Sequence, residues 1–138
     1  MDYLDLKSKV GNTQFIWAQA LWHPKWEVHV VPSLEKRKNI ELVAEKLDQI
    51  QKYFKRPIII TSWLRAQVYN ELIGGATKSQ HTLGCAVDFY IDGLSCDEVR
   101  TALQPKLEEM KIRCEDKKNA SWVHIDLGTP VFGRFFKP

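Results

Sequence analysis

The chain has 138 residues, 44% of them hydrophobic and 27% charged, with a net charge of +3. That length suits one domain, and no apolar run approaches the ~20 residues of a membrane span. Lys and Arg are spread along the chain rather than gathered into a stripe, which excludes nucleic acid as the expected partner.

The first 35 residues are expected to form an irregular, aromatic-rich wrap and residues 36–138 the core of a single domain. The opening segment carries Asp2 and Asp5 and no apolar stretch, so it does not read as a secretory signal. Three cysteines, Cys85, Cys96 and Cys114, cannot all pair and show no C-x-x-C spacing. They fit a protein made in a reducing compartment, released by lysis or carried by a phage or virus particle. Thr13 is placed to cap a short helix with Phe15, Ile16 and Ala20, and Trp17, Trp22 and Trp26 surround Pro24 in the wrap. His23 and His29 are read as structural or surface residues, the second within a strand over 28–31.

Residues 39–54 carry the clearest helical period, with Ile40, Val43, Leu47, Ile50 and Phe54 on one face. Glu35 to Lys38 read as a solvated approach to it. Arg56-Pro57 ends the helix and Ile58 to Thr61 reads as a buried strand. A short helix ending at Gly74-Gly75 should follow Arg65. A strand over 85–91 comes next and stops at Asp92-Gly93. Ser95 and Glu98 then form a capping box for a helix bearing Val99, Leu103, Leu107 and Met110, interrupted at Pro105. Residues 111–114 and 122–126 complete a hairpin through the polar turn 116–119. The expected fold is α+β, a small, mainly antiparallel sheet carrying the functional site with helices on its other face.

The densest chemistry lies at His81, Gly84 and Asp88, with His124 further on. Asp88 stands among Val87, Phe89 and Ile91, where an acid is costly unless paired or bound to metal. Strand alternation puts Ala86 and Asp88 on one face, and His124 and Asp126 on one face of the later strand. His81, Asp88 and His124 thus form a three-ligand set with an open fourth position, the usual way of holding catalytic zinc. Two roles are open to Asp126: general base, or a partner that orients a ligand imidazole. Glu115 and Asp116 are further candidates for the base, because the hairpin can return them to the site. Ser79 is expected to brace the His81 loop, and Cys85 to be a small strand residue rather than a nucleophile.

The ordered set Ser79-x-His81-x-x-Gly84-x-Ala86-x-Asp88, then Trp122-Val-His124-Ile-Asp126, resembles the zinc D-alanyl-D-alanine carboxypeptidase family, which includes L-alanyl-D-glutamate endolysins. The resemblance covers roughly residues 57 to 127 and takes in Asn70, Gly74 and Gly75. It implies a zinc peptidase acting on peptidoglycan stem peptides, by carboxypeptidase or endopeptidase cleavage; a monomer is expected. It also implies that Arg65, sixteen residues before His81, binds substrate and polarises the scissile carbonyl, with Ser79 beside it on the substrate side. Many members carry an acidic base three residues before the last histidine, where this chain has Ser121. That departure defines the alternative, a non-catalytic zinc module of viral or phage type that binds a peptide or protein partner.

Overall fold

The computed structural model describes residues 4–23, 25–67, 72 and 79–138. Asn70, Gly74 and Gly75, with the helix end expected there, lie outside the described residues. In the N-terminal segment, helix α1 (Trp17–Leu21) is followed by a hairpin of β1 (Trp22–His23) and β2 (Val28–His29). Thr13 does not cap α1. Its hydroxyl instead donates to Val10 O and accepts from Phe15 N, closing the preceding turn, while the Gln19 side chain accepts from Ile16 N at the helix start. The strand expected over 28–31 is only two residues long, because its partner β1 begins at Trp22, directly after helix α1 ends.

Helix α2 (Leu34–Phe54) begins a full turn earlier than its apolar period, because Ser33 caps it by accepting from Lys36 N. The charged run 35–38 is therefore its solvated first turn, with Glu35 favourable at the positive end of the helix dipole. Ile40, Val43, Ala44, Leu47 and Ile50 form the buried stripe. Lys55 in the left-handed region ends the helix before Pro57. Each large buried side chain contributes roughly 1.5–3 kcal/mol, so Leu47→Ala, which would also open a cavity, should cost about 2–5 kcal/mol.

A five-stranded sheet uses β3 (Ile58–Ser62), β4 (Ala86–Ile91), β5 (Arg113–Glu115), β6 (Val123–Asp126) and β7 (Phe135–Phe136) in the order β3-β4-β6-β5-β7. All pairs are antiparallel except β5 with β7. Strand β3 is an edge with Ile59 exposed rather than a buried strand, since among the described residues it pairs with β4 on one side only. Between β4 and β5, the reciprocal Ser95–Glu98 bonds start α3 (Cys96–Leu103), and a 3-10 turn with Pro105 leads into α4 (Leu107–Met110). Val87, Phe89, Ile91, Val123 and Ile125 point into one hydrophobic core with the apolar faces of α2 and α3. That core also takes Val10, Phe15, Trp17 and Leu21, so the N-terminal wrap shares it. The opposite face of β4 and β6 is left for polar side chains. Among the described residues, no helix is long and apolar enough to cross a membrane.

Candidate metal centre

The register of β4 against β6 puts Asp88 directly opposite His124. Side chains of directly paired residues lie close enough to touch, and His124 Nδ1 is 2.9 Å from Asp88 Oδ1. His81 arrives from a 3-10 turn (Gln80–Leu83) immediately before β4. Ser79 caps this turn, its hydroxyl accepting from His81 N, and Thr82 Oγ1 donates back to Ser79 O. Gly84, at φ +79, makes the left-handed step into β4, and a Cβ there would meet Ile40 Cγ1 and Lys36 O at 3.1 Å. Asn39 of α2 ties the same turn down by donating to Leu83 O. The outcome is His81 Nε2 at 3.2 Å from Asp88 Oδ1.

The donor chemistry tests whether a cation belongs here. Trp63 O can only accept, so His81 Nδ1, 2.9 Å away, carries the proton. In the neutral ring Nε2 is then a lone pair, facing a carboxylate oxygen that is also an acceptor. Both His124 nitrogens face carboxylate oxygens, Nε2 at 2.8 Å from Asp126 Oδ2 and Nδ1 at 2.9 Å from Asp88 Oδ1, so a neutral ring with its proton on Nε2 presents a lone pair to Asp88. A proton or a metal ion must occupy the space between these acceptors. One ligand atom from each of His81, Asp88 and His124 lies within 4.8 Å of the others. Each imidazole has its second nitrogen engaged by an oxygen, the arrangement that orients metal-ligating histidines. The set fits a divalent ion of the zinc type.

Electrostatics agree. Burial opposes charge on Asp88, but hydrogen bonds from His124 and His81 outweigh it and hold the carboxyl well below its usual range. Burial also opposes charge on His124, yet its bonds to Asp126 and Asp88 raise it to about 9 without metal. Asp126 is 2% exposed. Burial works against its charge too, and His124 and Arg113 overcome it, keeping it ionised. Arg113 Nε and Nη2 reach its two oxygens at 2.7 and 2.9 Å, and Gly128 N donates to Oδ1.

The Peptidase M15 family profile matches residues 20–126, most of the chain and all three candidate ligands. The chain belongs to the Peptidase M15 family. No curated protein matches the chain. Among solved structures it is similar to the crystal structure of Serratia marcescens L-Ala D-Glu endopeptidase ChiX, at 17% identity and a TM-score of 0.47, over 70% of this chain and 89% of that one.

Around the candidate metal centre of this M15 peptidase lies a cleft of about 570 Å³. Arg65, Ser79, Arg113, Glu115, Trp122 and Phe136 are among its lining residues. Arg65 N donates to His81 O, so the loop bearing Arg65 and the ligand turn are held together by this bond and the Trp63–His81 bond. Of the three candidate bases, Asp126 has both oxygens occupied. Asp116 turns away from the cleft to Lys137, 3.1 Å away. Glu115 alone among them reaches the cleft wall with a carboxylate that has no hydrogen bond or ion pair among the described residues. Ser121 is exposed and lies outside the cleft lining. Burial raises the Cys85 thiol, disfavouring the thiolate a nucleophile needs. His23 is buried, stacked on Trp26 at 4.5 Å, and outside the ligand cluster; His29 is exposed on the hairpin.

Sequence reasoning missed Arg113, Trp122 and Phe136 as residues of the site. For Arg113 a signal existed: Ile112 and Cys114 are core residues, so alternation turns Arg113 to the polar face. The hairpin strand also runs over 113–115 rather than 111–114, because Lys111 takes the left-handed conformation that ends α4. Phe136 had no local signal, since β7 is two residues long and pairs with a strand twenty residues earlier.

Proposed function

We propose that this M15 peptidase is a zinc-dependent hydrolase of peptidoglycan stem peptides, of the D-Ala-D-Ala carboxypeptidase or L-Ala-D-Glu endopeptidase type. The observation that carries the reading is the convergence of His81 Nε2, Asp88 Oδ1 and His124 Nδ1 at the floor of a cleft, with each imidazole held from behind. Zinc bound there would supply a water acidified toward ~7 and a Lewis acid for the scissile carbonyl. The chain's own residues provide the rest. Glu115 and Arg113 alternate on β5 with the core residue Cys114, so both face the side of the sheet that bears His124 and Asp126. An unpaired carboxylate on that wall is suited to take the proton of the attacking water, and we assign Glu115 as general base in place of the acid that Ser121 lacks. Asp126, saturated with donors, holds His124 in the tautomer that presents Nδ1. Arg65 offers a planar fork of donors to the developing oxyanion or a substrate carboxylate. Ser79 braces the His81 loop at the substrate side.

The test is digestion of purified muropeptides with and without a chelator, with the products identified by mass. Chelator-sensitive loss of a terminal D-Ala indicates the carboxypeptidase type, and cleavage between L-Ala and D-Glu the endopeptidase type. Metal-loaded protein that cleaves neither bond rejects the proposal.

A further inference from the structure

Asp126 is itself held by a second layer of residues that no part of the ligand motif contains. Arg113 stands opposite Asp126 in the β5–β6 ladder and grips both carboxylate oxygens, at 2.7 and 2.9 Å. A two-point bond between planar groups fixes orientation as well as distance. The guanidinium is fixed in turn from two directions. Phe136 of β7 lies under it, with the ring centroid 4.1 Å from Cζ. Gly128 lies against it from the extended segment that follows β6: a Cβ at that position would fall 2.7 Å from Nη2 and 2.9 Å from Cζ and Nε. The backbone of Gly128 also donates to Asp126 Oδ1 at 2.9 Å. Each Asp126 oxygen therefore receives two donors, and the last of the four is His124 Nε2. A carboxylate so saturated cannot rotate without breaking bonds to Arg113 or Gly128, so the imidazole it meets cannot rotate either.

We infer that Arg113 is a positioning residue for the metal centre, held in its slot by the bare backbone of Gly128 and the ring of Phe136, and that it sets metal affinity by fixing Asp126 against His124 Nε2. The inference rests on His124 acting as a ligand through Nδ1. A side chain at residue 128 would then weaken metal binding as loss of the Arg113 guanidinium does, although residue 128 touches no ligand.

The experiment is competition for zinc between a chromophoric chelator and the full chain, as wild type, Arg113→Met, Arg113→Lys and Gly128→Ala, each checked for a cooperative melt. Arg113→Met and Gly128→Ala should each lose about 10 to 100-fold in zinc affinity, the scale on which outer partners of metal ligands act. Arg113→Lys, which keeps the charge but not the two-point grip, should recover only part of it. At saturating zinc the variants should regain most of the wild-type kcat, which a simply damaged fold would not do. Zinc affinity within twofold of wild type in folded Arg113→Met and Gly128→Ala overturns the inference while leaving the zinc reading intact. A wild type that binds no zinc defeats the zinc reading itself. Should the variants not fold, nitrogen-15 NMR of the histidines in zinc-loaded wild type decides: a His124 ring protonated at Nε2 and metal-bound at Nδ1 supports the inference, and the reverse ends it.

Discussion

The two imidazoles of the candidate metal centre are held in different ways. His81 is backed by main chain, its Nδ1 donating to Trp63 O while its own carbonyl accepts from Arg65 N. His124 is backed by side chains, Asp126 and behind it Arg113. A backbone carbonyl remains whatever residue occupies its position, so the His81 wall should tolerate side-chain substitution. The His124 wall depends on a chain of chosen residues, and each of them is a point of failure. That wall also bears Glu115, so Arg113, which braces Asp126 behind His124, and the group proposed to move the proton share β5.

The most drastic way to break the comparison is to remove both rings. Wild-type protein should contain close to one equivalent of zinc by elemental analysis, and His81→Ala with His124→Ala should reduce it to background and abolish hydrolysis. Unchanged metal content would place the metal elsewhere. Glu115→Gln comes next, with an expected loss of about 10² to 10⁴ in kcat and zinc retained, because general base catalysis contributes on that scale. Full activity in that variant would return the role to Asp126 or to a residue outside the three candidates.

The contrast between the walls is sharpest in a paired measurement. Asp126→Asn should weaken zinc affinity about 10 to 100-fold, with much of the rate restored by excess zinc. Trp63→Phe keeps the Trp63 carbonyl and removes an indole N–H that has no partner among the described residues, so zinc affinity should stay within about threefold. Equal losses in both would show that the main-chain bond offers no special tolerance.

The smallest effect is protonic. Without metal, His124 titrates at about 9, so it carries a proton at neutral pH that a ligand must surrender. Zinc binding near pH 7.5 should release about one proton, read from the dependence of the calorimetric enthalpy on buffer. The sign also governs the metal-free fold. A pKa raised above the unfolded value stabilises the protein below ~6.5, and that contribution fades as pH rises toward 9. Metal-free protein should therefore melt lower at pH 9 than at pH 6, and zinc-loaded protein should not follow that trend.

What the sequence determined by itself was local. Alternation through Val87, Asp88 and Phe89 assigned a core face and a polar face, the Ser95–Glu98 spacing started α3, Pro105 broke the helix, and the spacing of His81, Asp88 and His124 marked three residues that the fold brings together. These signals are readable because the atoms involved are neighbours along the chain. The start of α2 was misread, since a single serine cap at residue 33 prevailed over the apolar period that begins at Ile40. Everything that ranks the acids near the metal was decided by tertiary structure. Asp126, Glu115 and Asp116 are alike as residues and close in sequence. Only the β5–β6 register pairs Asp126 with Arg113, only the C-terminal segment brings Lys137 to Asp116, and Glu115 is left facing the cleft. Pairing between strands is a contact at a distance along the chain, and a carboxylate's role depends on which cation arrives beside it.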